Sequence, residues 1–113
     1  MKTLDKVFKA LADTNRVRIL KLLEKRKMCV CELAYILGVS QPAMSKQLKK
    51  ITKAGFIESE QDGFWTNYFI STRNDYAKSL SGLLSSWLND ETIIKEDLKK
   101  ARKANRKKLC CKR

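Results

Sequence analysis

Cys29 and Cys31 stand one residue apart in the stretch KMCVCEL, and Cys110 and Cys111 are adjacent near the other end of a 113-residue chain that contains no histidine. Thiolates are soft ligands and select soft, thiophilic ions. Without histidine, the mixed Cys/His and His/carboxylate zinc sites cannot be built. Trivalent arsenic or antimony, which takes three sulfurs in a pyramid, suits such a donor set best, with cadmium or lead next. Cys29 and Cys31 supply two sulfurs, so a third has to come from Cys110 or Cys111. The spacing leaves open whether the end of the chain folds back on its own subunit or crosses to a partner. Lys25, Arg26 and Lys27 precede the first pair, while Lys107, Lys108, Lys112 and Arg113 surround the second. Nearby cations lower thiol pKa values, so ionised thiols are expected at both places. The competing reading of each pair is a small buried hydrophobe.

A second set of residues suits a polyanion. In SQPAMSKQLKK, Gln41 and Gln47 have the side chain that pairs bidentately with adenine, and Ser45 can reach a base edge or a phosphate. Lys46, Lys49, Lys50 and Lys53 can neutralise phosphates. Gln47 lies close to the buried edge of its helix. Taken by itself the segment also reads as an ordinary exposed amphipathic helix, so the elements on either side decide what it is for.

Those elements follow from periodicity. Leu4, Val7, Phe8 and Leu11 recur at helical spacing. Asp13 or Thr14 can cap a second helix whose inner face is Val17, Ile19, Leu20, Leu22 and Leu23. A short third helix, about 30 to 37, ends at Gly38, and Ser40 is placed to cap a fourth with Pro42 in its first turn. After Gly55 the period changes from helical to alternating, and Asp62-Gly63 between two such runs is a strong hairpin signal. An amphipathic helix over 75–88 follows, presenting Tyr76, Leu80, Leu83, Leu84 and Trp87. From Asn89 a frayed helix on Ile93, Ile94 and Leu98 is expected to run into a mobile end, since residues 99–113 hold nine basic side chains and no acidic one.

Helix, glycine turn, helix and hairpin make a winged helix-turn-helix, in which the second helix enters the major groove and the hairpin touches the backbone. The fold class is therefore mainly α with a β-hairpin wing. Residues 1–88 form a DNA-binding and dimerisation domain, and residues 89–113 a basic, partly mobile extension carrying a cysteine pair. Such proteins commonly bind two half-sites as dimers. The first helix and the 75–88 helix hold more apolar surface than a lone wing could cover and are the dimerisation candidates. The net charge of +13 is shared by both parts, since residues 1–88 carry 15 basic and 8 acidic side chains and residues 89–113 carry 10 and 4. An anionic membrane is the other polyanion, but these apolar stripes fit a packed core better than an interfacial helix. There is neither a membrane span nor a signal-peptide core, which points to the cytosol. A nucleotide-binding glycine loop, a Ser/His/Asp set and a βαβ scaffold around a Cys-x-x-Cys are all missing, so neither an enzyme nor an organic cofactor is expected.

LADTNRVRILKLL, CVCEL and LGVSQPAMSKQLKKITKAGFI together resemble the ArsR/SmtB family of metal-responsive winged-helix repressors, over nearly all of residues 4–88. CVCEL is similar to that family's metal box and SQPAMSKQL to its recognition helix. The resemblance implies a homodimer that binds double-stranded operator DNA without metal and leaves it when As(III) or Sb(III) binds. The chain departs from those arsenic-sensing relatives that carry three cysteines in the box and from the cadmium- and lead-sensing ones that add N-terminal cysteines. Residues i and i+2 of an α-helix point to nearly opposite sides, so chelation by Cys29 and Cys31 should unwind or shift the start of the third helix. A redox or persulfide sensor on the same fold, joining one cysteine of each pair, is the rival reading.

Overall fold

The computed structural model describes residues 1–104, in which six helices accompany a small antiparallel sheet that packs on α2, α3 and α4. Helix α1 spans Lys2–Leu11 and α2 spans Thr14–Leu23. Between them Asp13 has extended backbone and accepts the Arg16 N–H at 3.1 Å, so it is Asp13 that caps α2. Ile19, Leu20, Leu22 and Leu23 are buried, and they join Val7 and Ala10 of α1 in the core.

Strand β1, Met28–Cys29, is only two residues long and leads directly into α3, Val30–Leu37. Helix α4 follows at Gln41–Lys53, then β2 at Ile57–Asp62 and β3 at Trp65–Ile70. The hairpin β2–β3 is the expected wing, closed by a two-residue loop with Asp62 opposite Trp65. Gly63, at φ 61°, occupies the first loop position, where a tight hairpin turn needs positive φ. The strand order is β1-β3-β2, so the strand just before α3 pairs with the wing through Met28–Tyr68 and Cys29–Asn67. That pairing is not foreshadowed by any alternation in the sequence.

The last two helices differ from expectation. Helix α5 is Asp75–Leu84 and stops short of Leu88. Ser85 and Ser86 each turn a hydroxyl back to a carbonyl of the preceding turn, Gly82 O at 2.6 Å and Leu83 O at 3.0 Å. Hydroxyls bonded in this way compete with helix continuation. Leu88 then takes φ 67°, and the chain reverses. Helix α6, Thr92–Lys103, is regular and packs on α2 and α3, with Ile94, Asp97 and Ala101 buried. The part of the expected extension that is described is therefore a folded layer up to Lys103. Its anchor is Arg18 of α2, whose Nε and Nη2 donate to the two Asp97 carboxylate oxygens at 2.8 Å each. Pairing with buried Asp97 raises the Arg18 pKa further, against the opposing effect of burial. Among the described residues no helix is long and apolar enough to cross a membrane.

Candidate DNA-reading face and thiol site

Helix α4 is fixed from within by Met44, Leu48 and Ile51, all fully buried. Its start is set by Ser40, whose Oγ accepts the Ala43 N–H at 3.2 Å. Gly38 ends α3 at φ 72°, and the amides of Gly38 and Val39 both return to Ala34 O, at 2.9 and 3.1 Å. The turn between α3 and α4 is thus closed by backbone bonds and needs a left-handed residue at Gly38. What remains outward on α4 is Gln41, Ser45, Lys46, Lys49, Lys50 and Lys53, all exposed.

Gln47 is placed differently. It is half-buried, and its Oε1 accepts a hydrogen bond from Arg16 Nη1 at 2.9 Å. Arg16 also donates from Nε to Ala10 O at 2.9 Å and from Nη2 to Lys9 O at 2.8 Å. One guanidinium therefore satisfies carbonyls at the end of α1 and ties both α1 and α2 to the recognition helix. The Gln47 carboxamide oxygen is occupied in that tie.

The wing carries an unexpected charge. Residues 57–70 contain Glu58, Glu60 and Asp62 and no basic residue. Among the described residues, cations from outside the hairpin are drawn to it, Lys27 to Glu60 at 2.7 Å and Arg73 to Glu58 at 3.8 Å. A hairpin of this composition is poorly suited to the phosphate contact expected of it.

At the thiol site, Cys29 is not inside the helix. It is the last residue of β1 and the N-cap of α3, with extended backbone (φ −88°, ψ 169°), and is only 2% exposed. Its N–H donates to Glu32 Oε1 at 3.1 Å, and its sulfur faces the Glu32 backbone N–H, the reciprocal arrangement of a capping box. The Glu32 carboxylate is buried and paired through Oε2 with Arg26 Nη1 at 3.0 Å. Arg26 Nη2 in turn donates to Ala101 O of α6 at 3.1 Å. The chain Cys29, Glu32, Arg26, Ala101 links the strand–helix junction to the last helix.

This arrangement reverses the expected ionisation of Cys29. Burial pushes its thiol pKa above the ordinary value, and the Glu32 carboxylate adds to the rise; the backbone N–H groups of Glu32 and Cys31 oppose it. The basic cluster fails to lower it because two of its charges are already matched, Arg26 by Glu32 and Lys27 by Glu60. Cys31 is half-buried at the second helical position and is disulfide-bonded. Cys110 and Cys111 lie outside the described residues. Among the described residues no three Cys, Asp or Glu side chains are grouped to hold a metal ion.

Sequence reasoning missed Arg16, Glu32 and Asp97, and read Arg26 only as a cation beside the thiol, without its bonds to Glu32 and Ala101. Glu32 was findable, since an acid three residues after a helix start is the capping-box spacing. The others act through contacts distant in sequence.

Comparison with known proteins agrees with this geometry. Residues 13–59 match the model of the family described as bacterial regulatory protein, arsR family. The chain is 42% identical to an uncharacterized helix-turn-helix transcriptional regulator of Methanocaldococcus jannaschii, over 57% of this chain and 73% of that one. It is 40% identical to the arsenical resistance operon repressor of Bacillus subtilis, over 72% of this chain and 73% of that one. The cadmium resistance regulator CadC of Listeria innocua is 38% identical over 56% of this chain and 54% of its own. The stretches matched span from about half to nearly three quarters of such relatives' lengths. Among solved structures, reduced HlyU from Vibrio cholerae superposes with a TM-score of 0.66 at 25% identity, covering 78% of this chain and 90% of that one. The homodimeric winged helix-turn-helix domain of a possible ArsR-family regulator from Mycobacterium bovis gives 0.65 at 26%, covering 74% and 75%. Family and fold are those of transcriptional regulators and not of enzymes. The chain belongs to the ArsR family of winged-helix, DNA-binding regulators.

Proposed function

We propose that the protein is a transcriptional repressor that binds operator DNA as a homodimer and is released when As(III) or Sb(III) is captured by Cys29, Cys31 and one sulfur of the Cys110/Cys111 pair. The observation that carries this reading is the position of Cys29. It caps the helix that runs through Gly38 into α4, so a ligand that claims its sulfur acts on the element that aims the DNA reader. To chelate, Cys29 must give up its burial and its bond to the Glu32 amide. The deformation then falls at the N-cap of α3, at the helix start where the sequence reading expects it. A coupling of about 1–3 kcal/mol weakens DNA binding by roughly 5- to 150-fold.

Gln41, Ser45 and Lys46 are the base- and backbone-reading candidates, with Lys49 and Lys50 on phosphates; Gln47 contributes by holding α4 against Arg16. Phe8, Tyr76, Leu83 and Trp87 are each about half exposed, on α1, α5 and just beyond α5, and supply an apolar face for a second subunit. The third sulfur is assigned to the same subunit. Helix α6 brings Ala101 against Arg26, and the six residues from Ala104 to Cys110 reach up to about 20 Å when extended.

Two further readings each have a specific support. Similarity to cadmium regulators favours a Cd(II) inducer on the same thiols. The disulfide at Cys31 favours release by oxidation. The deciding experiment is an operator-binding titration of fully reduced protein with arsenite, antimonite, cadmium and lead, and separately of the thiol form with an oxidant or polysulfide. Wild type is compared with Cys29→Ser, Cys31→Ser and the Cys110→Ser/Cys111→Ser variant. Loss of the arsenite response in all three supports the proposal, and an intact response in Cys29→Ser overturns it. pH separates arsenite from cadmium. Neutral arsenous acid exchanges three hydroxyls for three thiols with release of water, so its affinity is flat between about pH 6 and 8, whereas cadmium displaces thiol protons and binds more tightly as pH rises.

A further inference from the structure

We propose that the groove between α1 and the C-terminal half of α4 grips the sugar–phosphate backbone of the DNA beyond the bases α4 reads, taking over the backbone contact that the acidic wing is unsuited to make. The proposal rests on the DNA-binding reading above and extends it to a surface outside the helix-turn-helix.

The groove has a volume of about 490 Å³ and is lined by Lys6, Lys9, Arg16, Lys50 and Lys53 over a floor of Ala10 and Ala12. A neighbouring hollow shares Lys6 and Lys53 and continues to Arg73 and Asn74. Neither is lined by a carboxylate. The four lysines are exposed and, among the described residues, make no ion pair. Arg16 is held by its three internal bonds and is paired with Asp13 at 3.8 Å, so the unmatched charge of the groove rests on the lysines.

Helix dipoles account for part of this, since Lys9, Lys50 and Lys53 all lie in last turns where cations are favoured. They do not account for Lys6, in the body of α1, nor for two helices turning their lysines into one trough. The wing makes the contrast. There, Lys27 and Arg73 are each matched to a glutamate, and the hairpin itself has only acids. Among the described residues, cations without an ion pair lie instead on α1 and the C-terminal half of α4. A row of unpaired lysines beside a recognition helix complements phosphates, which fix register and contribute affinity without reading sequence.

The test is the salt dependence of binding to two duplexes, an operator selected by the wild type from random DNA and a scrambled duplex of equal length. Each phosphate contact contributes about 0.9 to the slope of log K against log salt. The Lys6→Gln/Lys9→Gln/Lys53→Gln variant is compared with a charge-matched control on other faces, Lys78→Gln/Lys95→Gln/Lys99→Gln, and with Lys46→Gln/Lys49→Gln on the reading face. Expected is a slope smaller by about 2 to 3 for the groove variant on both duplexes, with the operator-to-scrambled ratio kept and the control unchanged. Thermal melting verifies that each variant is folded. A groove variant that loses no more slope than the control, while Lys46→Gln/Lys49→Gln does lose slope, overturns the groove and leaves the DNA reader standing. A folded wild type that binds neither duplex overturns both.

Discussion

Two helix starts follow one another along this chain and are built in opposite ways. Helix α4 begins at an exposed serine whose side chain makes one bond, to its own first turn. Helix α3 begins at a buried cysteine that is at once a residue of the sheet, a partner of Glu32 and, through Arg26, a neighbour of α6. Sulfur is a weak acceptor, so a thiol is a poor choice if capping were the whole task. The difference teaches that the DNA reader is held by its core face, while the junction upstream is held by a web of polar contacts that one ligand could cut.

The largest expected effect comes from removing the brace behind that web. Asp97→Ala leaves the Arg18 guanidinium, about 14% exposed, without its carboxylate. Stranding one member of a buried pair costs about 3 kcal/mol or more. Urea denaturation should register that loss. If α6 were only the frayed extension that its composition suggests, the midpoint would barely move.

That outcome bears on what was legible in the sequence. The periodic stretches α1 to α4 and the wing were readable because each pairs an apolar stripe with a local stop, Gly38 and Ser40 most clearly. Helix α6 is legible as a helix on Ile93, Ile94 and Leu98, but its regular course to Lys103 is not, because its anchor is an acid on its inner face whose partner lies 79 residues away. Strand β1 escaped notice since two residues show no alternation. The end of α5 was set by Ser85 and Ser86 hydroxyls, which no apolar pattern reports. At the thiol, the neighbouring charges Lys25, Arg26 and Lys27 were plain, but not that Arg26 and Lys27 are bound to carboxylates, or that pairing with Asn67 buries Cys29.

Next in size is Glu32→Gln, which strips the charge from the hub of the web and leaves Arg26, about 41% exposed, without its anion. A charge-assisted hydrogen bond is worth about 1.5–3 kcal/mol, and partial exposure of Arg26 places the expected cost at the lower end, about 1.5 kcal/mol. The same change lowers the Cys29 thiol pKa, because the Glu32 carboxylate helps to raise it. Alkylation rate against pH reads the shift directly. Ser40→Ala, at the other helix start, should cost about 1 kcal/mol as an ordinary lost cap and leave the alkylation profile of Cys29 where it was. A coupled response in Ser40→Ala would erase the contrast between the two starts.

The smallest effect is the most diagnostic. A thiol held above its unfolded value of about 9.0 keeps its proton more tightly in the folded chain. Its contribution to stability is complete below pH 9 and declines as pH climbs from there toward the raised folded value, because the unfolded chain ionises first. Lysines and tyrosines titrate in the same range, so the quantity to measure is the difference between wild type and Cys29→Ser. Serine keeps a capping oxygen and has no proton to lose there, so the two proteins should be similarly stable at pH 7 and diverge above pH 9 in favour of the serine variant. Parallel stability curves through pH 10 would mean that Cys29 is not buried against the Glu32 carboxylate. The α3 start would then be no different in kind from the α4 start.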